Sequence, residues 1–160
     1  MEDIEIRTFG GSDRDWLITQ HREHYAKEEG FDASFGTLVT QIVDDFLINH
    51  DPTCERGWIA HRGGQRLGSI FCVRLNPHRA KLRLFLLRPE ARGHGLGQRM
   101  LQSCMGFARD QGYEAMQLWT HESHRAAGRL YARSGWQLID SRSVNSFGKA
   151  NVEQTWEILL

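Results

Sequence analysis

The chain has 160 residues, enough for one domain to bury a core without disulfides or a metal. Its 20 basic and 20 acidic residues cancel, which removes the general electrostatic pull that a nucleic-acid or anionic-membrane binder relies on. Cys54, Cys72 and Cys104 are odd in number and lack CxxC spacing, which argues against a zinc site, a redox pair or a disulfide framework. With no signal-peptide pattern and no apolar run of membrane-span length, they read as reduced thiols of a soluble cytoplasmic protein.

Ile4 to Phe9 alternates as a strand and stops at Gly10-Gly11. Ser12 stands as a helix N-cap with Asp15 in the capping-box position, and that helix is expected to run to Glu29 and end at Gly30. Its apolar positions are sparse, and His21 and His24 interrupt what should be a core face, which suits a helix bordering a cleft. Phe35, Leu38, Val39, Ile42, Val43, Phe46 and Leu47 then recur at three- and four-residue steps, the pattern of a core-facing helix. Past Asp51-Pro52 the period falls to two. Trp58 to Ala60, a turn at Gly63-Gly64 and Leu67 to Leu75 form a hairpin, and Asn76-Pro77 leads into a third strand from Lys81. After the glycine-rich Arg92 to Gly97, a helix from Gln98 to Gln111 carries a stripe of Met100, Leu101, Cys104, Met105 and Ala108. Ala115 to Thr120 is a strand, and the segment around His124 to Ser134 is a helix stopped by Gly135. Trp136 to Ser143 and Val152 to Leu159 make a closing strand pair joined through Asn145-Ser146-Phe147-Gly148. The order predicts a single α/β domain over residues 1–160. Its sheet should be mixed and largely antiparallel, of about seven strands flanked by about four helices, with a right-handed crossover after the glycine loop.

The segment Lys81 to Gln98, KLRLFLLRPEARGHGLGQ, carries the chemistry. A strand, a proline stop and a glycine turn before a helix aim successive N–H groups at the helix's positive end, where a phosphate binds. A nucleotide P-loop is excluded because no Lys-Ser or Lys-Thr follows the glycines. A Rossmann fingerprint is excluded because its last glycine would fall on Gln98 or Met100, and because the next strand ends Leu118-Trp119-Thr120 without an acid.

Arg92-Gly93-His94-Gly95-Leu96-Gly97 instead satisfies Arg/Gln-x-x-Gly-x-Gly/Ala at every defined position, and Leu130-Tyr131-Ala132-Arg133-Ser134-Gly135-Trp136 looks like an LYxxxGF signature. With these two motifs and the element order, the chain resembles the GNAT superfamily of N-acetyltransferases over nearly its whole length. Lys81 to Leu86 and Gln154 to Glu157 further resemble the acetyltransferase half of proteins fused to a winged-helix MarR-type regulator. The resemblance implies transfer of an acetyl group from acetyl-CoA to a primary amine of a small molecule or peptide, by direct attack in a ternary complex and without a metal. Phe85, Leu86 and Leu87 would then offer main-chain groups to the pantetheine arm and one N–H to the acetyl oxygen. Amides of Gly93, His94, Gly95, Leu96 and Gly97 would hold the pyrophosphate, with Arg92 shaping or charging the loop. Tyr131 matches the tyrosine that approaches the coenzyme sulfur, and its phenol would donate a proton to the leaving thiolate or hold it by a hydrogen bond. At the position seven residues before it, where many members carry an asparagine near the pantetheine, this chain has His124. The same loop also suits an acyl-CoA-binding regulatory module without catalysis.

The general base is open among His21, His24, Glu28, His121 and Glu122. Lys81 and Arg83 alternate with Leu82 and Leu84, and strict alternation would set them on one face with Phe85 and Leu87, where a cation pairs with a substrate carboxylate or phosphate. His24, Tyr25, Trp119 and His121 are further candidate walls of the acceptor site. The expected partner is the amine acceptor, with no nucleic acid and no membrane; self-association as a homodimer is left open.

Overall fold

Runs of period two become strands and runs of period 3.6 become helices in the computed structural model, which describes residues 3–160. The strands are β1 (Glu5–Thr8), β2 (Arg56–Arg62), β3 (Gln65–Arg74), β4 (Arg79–Leu87), β5 (Ala115–His121), β6 (Gln137–Ser146) and β7 (Lys149–Leu159). The helices are α1 (Arg14–Glu29), α2 (Ala33–Asn49), α3 (Leu96–Asp110) and α4 (Arg125–Arg133). The strands form one sheet in the order β1-β2-β3-β4-β5-β7-β6, antiparallel at every junction except β4 with β5, which α3 connects by the expected crossover. None of the described helices is long and apolar enough to cross a membrane.

Each face of the sheet is covered by helices. On one, Leu17 of α1 and Val39 and Val43 of α2 pack over Ile59 and Phe71, and the Phe71 ring meets those of Phe9 and Phe46 edge-on at 4.9 Å. On the other, Met100, Leu101 and Cys104 of α3 lie against Ile70, Cys72 and Met116, so both Cys72 and Cys104 are buried free thiols.

The start of α1 departs from the sequence expectation. A 3-10 turn, Gly11–Asp13, precedes it, and Asp13 takes the part expected of Ser12 and Asp15. The buried Asp13 carboxylate accepts the Gly10 N–H at 2.9 Å and bonds from Arg7 at 2.7 and 2.8 Å and from Arg66 at 2.7 Å. Burial alone would raise this carboxyl, but those donors hold it well below the usual carboxylate range. The final hairpin also differs, because β6 and β7 run on to a tight turn at Phe147-Gly148. Its Ser and Asn residues read as a linker, yet ladder pairing along an exposed edge holds them extended.

Two features of β4 shape the cleft beside it. Ser69 pairs with Leu86 and Phe71 with Arg83, so Leu84 and Phe85 together oppose the single residue Ile70. At this bulge Leu84 takes φ 53°, and its carbonyl accepts the Ser69 hydroxyl at 2.7 Å. The extra residue reverses the alternation. Leu84, like Arg83, faces α1 and α2, whereas Phe85 and Leu87 join Ala80 and Leu82 on the α3 side. Arg83 therefore does not share a face with Phe85 and Leu87, as unbroken alternation required. The second feature is that parallel pairing of β4 with β5 ends at Lys81–Gln117, and the two strands part beyond it.

Candidate active site

Two cavities lie where β4 and β5 part. The larger of the pair, about 460 Å³, is bordered by Phe85, Leu86 and Leu87 of β4, by the glycine loop, and by α4 from its His124 cap to Leu130. Past Lys81 no β5 residue pairs with β4, so the main-chain groups of Phe85 to Leu87 that turn away from β3 have no strand partner. Gly93 and Gly95 adopt φ of 82° and 72°, and Gly95 is the N-cap of α3. This left-handed backbone is open to glycine at little cost, and it turns the unpaired first-turn amides of α3 towards the cavity. The helix starts at Leu96, earlier than the Gln98 expected, because Gly97 seats it tightly. A Cβ there would stand 3.2 Å from Leu87 Cδ1 and 3.4 Å from Leu130 Cδ2.

The smaller cavity, about 250 Å³, opens between β4, β5 and the α1–α2 layer. Lys81, Arg83, Trp119, His121, His21 and Tyr131 border it. Tyr25, Phe85, His124 and Ala127 belong to both walls, so the two cavities adjoin at these residues. Phe31 and Phe35, residues the sequence patterns did not single out for the site, stack around Tyr25 at 5.8 and 4.7 Å and extend an aromatic wall. The Phe147 turn continues that wall, its carbonyl accepting the Asp32 N–H at 2.9 Å.

The structure thus gathers most of the residues singled out by sequence, with some reassignments. Arg92, Gly93, Gly95, Leu96, Gly97 and His124 border the first cavity with the β4 segment. His94 is exposed and outside that wall, so only its main chain stays near. His24, expected on the acceptor side, borders the first cavity with Glu28; Glu122 is exposed and borders neither. Tyr131 borders the second cavity. Its ring is buried, with Phe85 at 6.4 Å, and burial raises the phenol far above its ordinary value, which keeps it a proton donor. Trp119 is 38% exposed and carries the Lys81 ammonium 4.2 Å above its ring.

Burial also sets the histidines. His21, His24, His121 and His124 are all lowered by it, His21 and His124 to about 4, so each imidazole is neutral at pH 7. His21 Nδ1 donates to the Leu17 carbonyl at 2.9 Å, which leaves Nε2 as an unpartnered buried lone pair among the described residues. His124 stands between Thr120, 3.2 Å from Nδ1, and the buried carboxylate of Glu29, 3.0 Å from Nε2 in a contact that lacks hydrogen-bond alignment. Glu29 reads in sequence only as the last residue before a helix-ending glycine, and nothing local announces its part in the wall. Among the described residues no cluster of three or more His, Cys, Asp or Glu side chains is arranged to hold a metal.

Residues 14–136 match the model of the acetyltransferase (GNAT) family. Rat N-acetyltransferase 8F1 is 30% identical over 116 residues, spanning 69% of this chain and 51% of its own length. Rat N-acetyltransferase 8 is 33% identical over 108 residues, spanning 62% and 47%, so the chain spans about half the length of the curated relatives it matches. Among solved structures, a GNAT-family acetyltransferase from Staphylococcus aureus Mu50 superposes with a TM-score of 0.82 at 18% identity over 99% of each chain. An acetyltransferase from Salmonella typhimurium, solved with its cofactor acetyl-CoA, does so with a TM-score of 0.78 at 14% identity, over 99% of this chain and 94% of that one. At these identities the structural likeness is one of fold. The family match, by contrast, is one of sequence that takes in both the glycine loop and the Tyr131 motif, and the chain belongs to the GNAT acetyltransferase family.

Proposed function

We propose that this chain moves an acetyl group from acetyl-CoA to a primary amine of a small molecule or peptide, by direct attack with both substrates bound. The observation that carries the reading is the pair of cavities that adjoin at Tyr25, Phe85, His124 and Ala127, with a helix start bordering one and Lys81, Arg83 and His121 bordering the other. The first-turn amides of α3 hold the pyrophosphate, as the helix dipole favours, and Arg92 adds charge at the loop. The unpaired main chain of Phe85 to Leu87 holds the pantetheine arm, and one of its N–H groups faces the thioester oxygen where negative charge develops. The asparagine common in the family is replaced by His124, whose ring is hydrogen-bonded to Thr120 beside Glu29 and presents a neutral edge to the same arm.

The amine nitrogen attacks the thioester carbonyl from the second cavity; the C–N bond forms as the C–S bond breaks. The proton lost by the amine passes to His121, the neutral imidazole at the end of β5, and the departing thiolate takes one from the Tyr131 hydroxyl. His121 is preferred to His21 because its more modest burial leaves it the stronger base.

Thiol release from acetyl-CoA, measured across a panel of primary amines, tests the proposal. Amine-stimulated release is expected. Tight acetyl-CoA binding without stimulation by any amine would instead identify an acyl-CoA-binding module.

A further inference from the structure

Two cations of β4, Arg83 and Lys81, border the second cavity, and Arg83 also borders a further cavity lined by Asp45 and Glu55. Arg83 and Lys81 are both partly buried on β4, and neither has a carboxylate within ion-pair distance among the described residues. The acids nearest Arg83 are committed elsewhere: Asp45 accepts from Asn49 at 2.7 Å, and Glu55 accepts the Asp51 and Arg74 amides at 2.9 and 2.8 Å. Burying a guanidinium without a counter-charge is costly, and its planar fork matches a carboxylate. Burial, with the neighbouring Arg83 charge, pushes Lys81 down to about 8, and the Glu153 carboxylate offsets this only in part. The rest of this wall is apolar, with Leu38, Val39 and Ile42 of α2 beside Phe35.

Resting on the acetyl-transfer reading, we infer that the acceptor is an α-amino carboxylate with an apolar or aromatic side chain, its carboxylate held by Arg83 with Lys81 in support. Although the Leu84 bulge turns Arg83 and Phe85 to opposite faces of β4, both border the second cavity, so a carboxylate on Arg83 and an amine aimed at a thioester beside Phe85 share one space. The apolar α2 wall takes the side chain, and the Trp119 face beneath Lys81 keeps that ammonium in place. An amine with no neighbouring anion leaves both cations buried and unpaired in the complex.

The test uses amino acids paired with their decarboxylated amines: phenylalanine with phenylethylamine, tryptophan with tryptamine, methionine with 3-methylthiopropylamine. The wild-type enzyme is expected to favour the carboxylate member in kcat/KM by roughly tenfold to a hundredfold, the range of a charge-assisted hydrogen bond. Arg83→Gln is expected to collapse that preference by lowering kcat/KM for the amino acids far more than for the decarboxylated amines, while Arg83→Lys, which keeps the charge and guards against a folding defect, retains part of it. Equal use of both members, or an equal loss on both in Arg83→Gln, overturns the assignment. Calorimetric titration with N-acetylphenylalanine, in the presence of CoA, separates this from the transfer reading. Binding that is lost in Arg83→Gln supports the anion subsite even where no amine is turned over, and absence of binding to the wild type overturns it.

Discussion

The two cavities beside β4 are built from different materials. The first presents main chain along one side, an unpaired strand edge and the start of a helix turned by Gly93 and Gly95, with ionisable side chains of α1 and α4 on the other. The second presents side chains, chiefly Arg83, Lys81, His21, His121 and a set of aromatic rings. Backbone amides carry no residue identity, so many side chains are compatible with the first cavity provided the glycines remain. The second depends on each side chain's charge and burial, and selectivity and pH sensitivity belong there. A bulge at Leu84 joins the two, because it aims neighbouring residues of one strand into different cavities.

The sharpest break of this contrast is Gly95→Trp. It places a large side chain in the loop at φ 72° and is expected to weaken acetyl-CoA binding by on the order of a hundredfold or more, with a stability loss of roughly 1–2 kcal/mol from the left-handed backbone. Titration calorimetry reads the affinity, and undiminished binding would remove the loop from the site.

Tyr131→Phe comes next, and by the proposed role it lowers kcat by roughly tenfold to a hundredfold while KM for acetyl-CoA stays within about threefold. The loss is at the low end for acid catalysis because a thiolate of conjugate-acid pKa near 8.5 is a fair leaving group. A matching rise in KM would mean that the ring only shapes the cavity.

The buried histidines predict a pH effect on stability. His21 and His124 titrate at about 4 in the folded chain, against about 6.5 when unfolded. Between those values the unfolded state binds more protons, so stability is complete above pH 6.5 and falls as pH drops towards 4, by up to about 1.4 kcal/mol per pH unit for each residue. Denaturant unfolding across that window should show a shallower slope in His21→Gln than in the wild type. An unaltered slope would mean that His21 titrates in the folded chain as it does in the unfolded one.

The smallest effect is expected from His94→Ala. The exposed ring is outside the cavity wall and the residue's amide is kept, so acetyl-CoA affinity should change by less than about threefold in the same calorimetric assay.

Much of the first cavity was legible in the linear chain because its signals are local. A glycine's freedom, a proline stop and a helix start occupy consecutive residues, and their geometry follows from the backbone alone. The helix stripes at Val39, Val43, Met100 and Cys104 were legible for the same reason, since period and burial coincide. Other features were not. Alternation around Arg83 misled because the bulge arises from a register between β3 and β4 that no single strand encodes. The β6–β7 hairpin was read too short because Asn and Ser favour turns unless a partner strand supplies hydrogen bonds.

By itself, then, the sequence determined the order of elements, the glycine loop before α3 and the family, because each rests on contiguous residues or on motifs read directly. Only the tertiary structure decided that β4 parts from β5 after Lys81, that Arg83 and Phe85 face opposite sides, and that Glu29 of α1 meets His124 at the start of α4. The physical reason is that a site's electrostatics depend on which charges are desolvated together. Burial and proximity between distant segments exist only after the chain has packed.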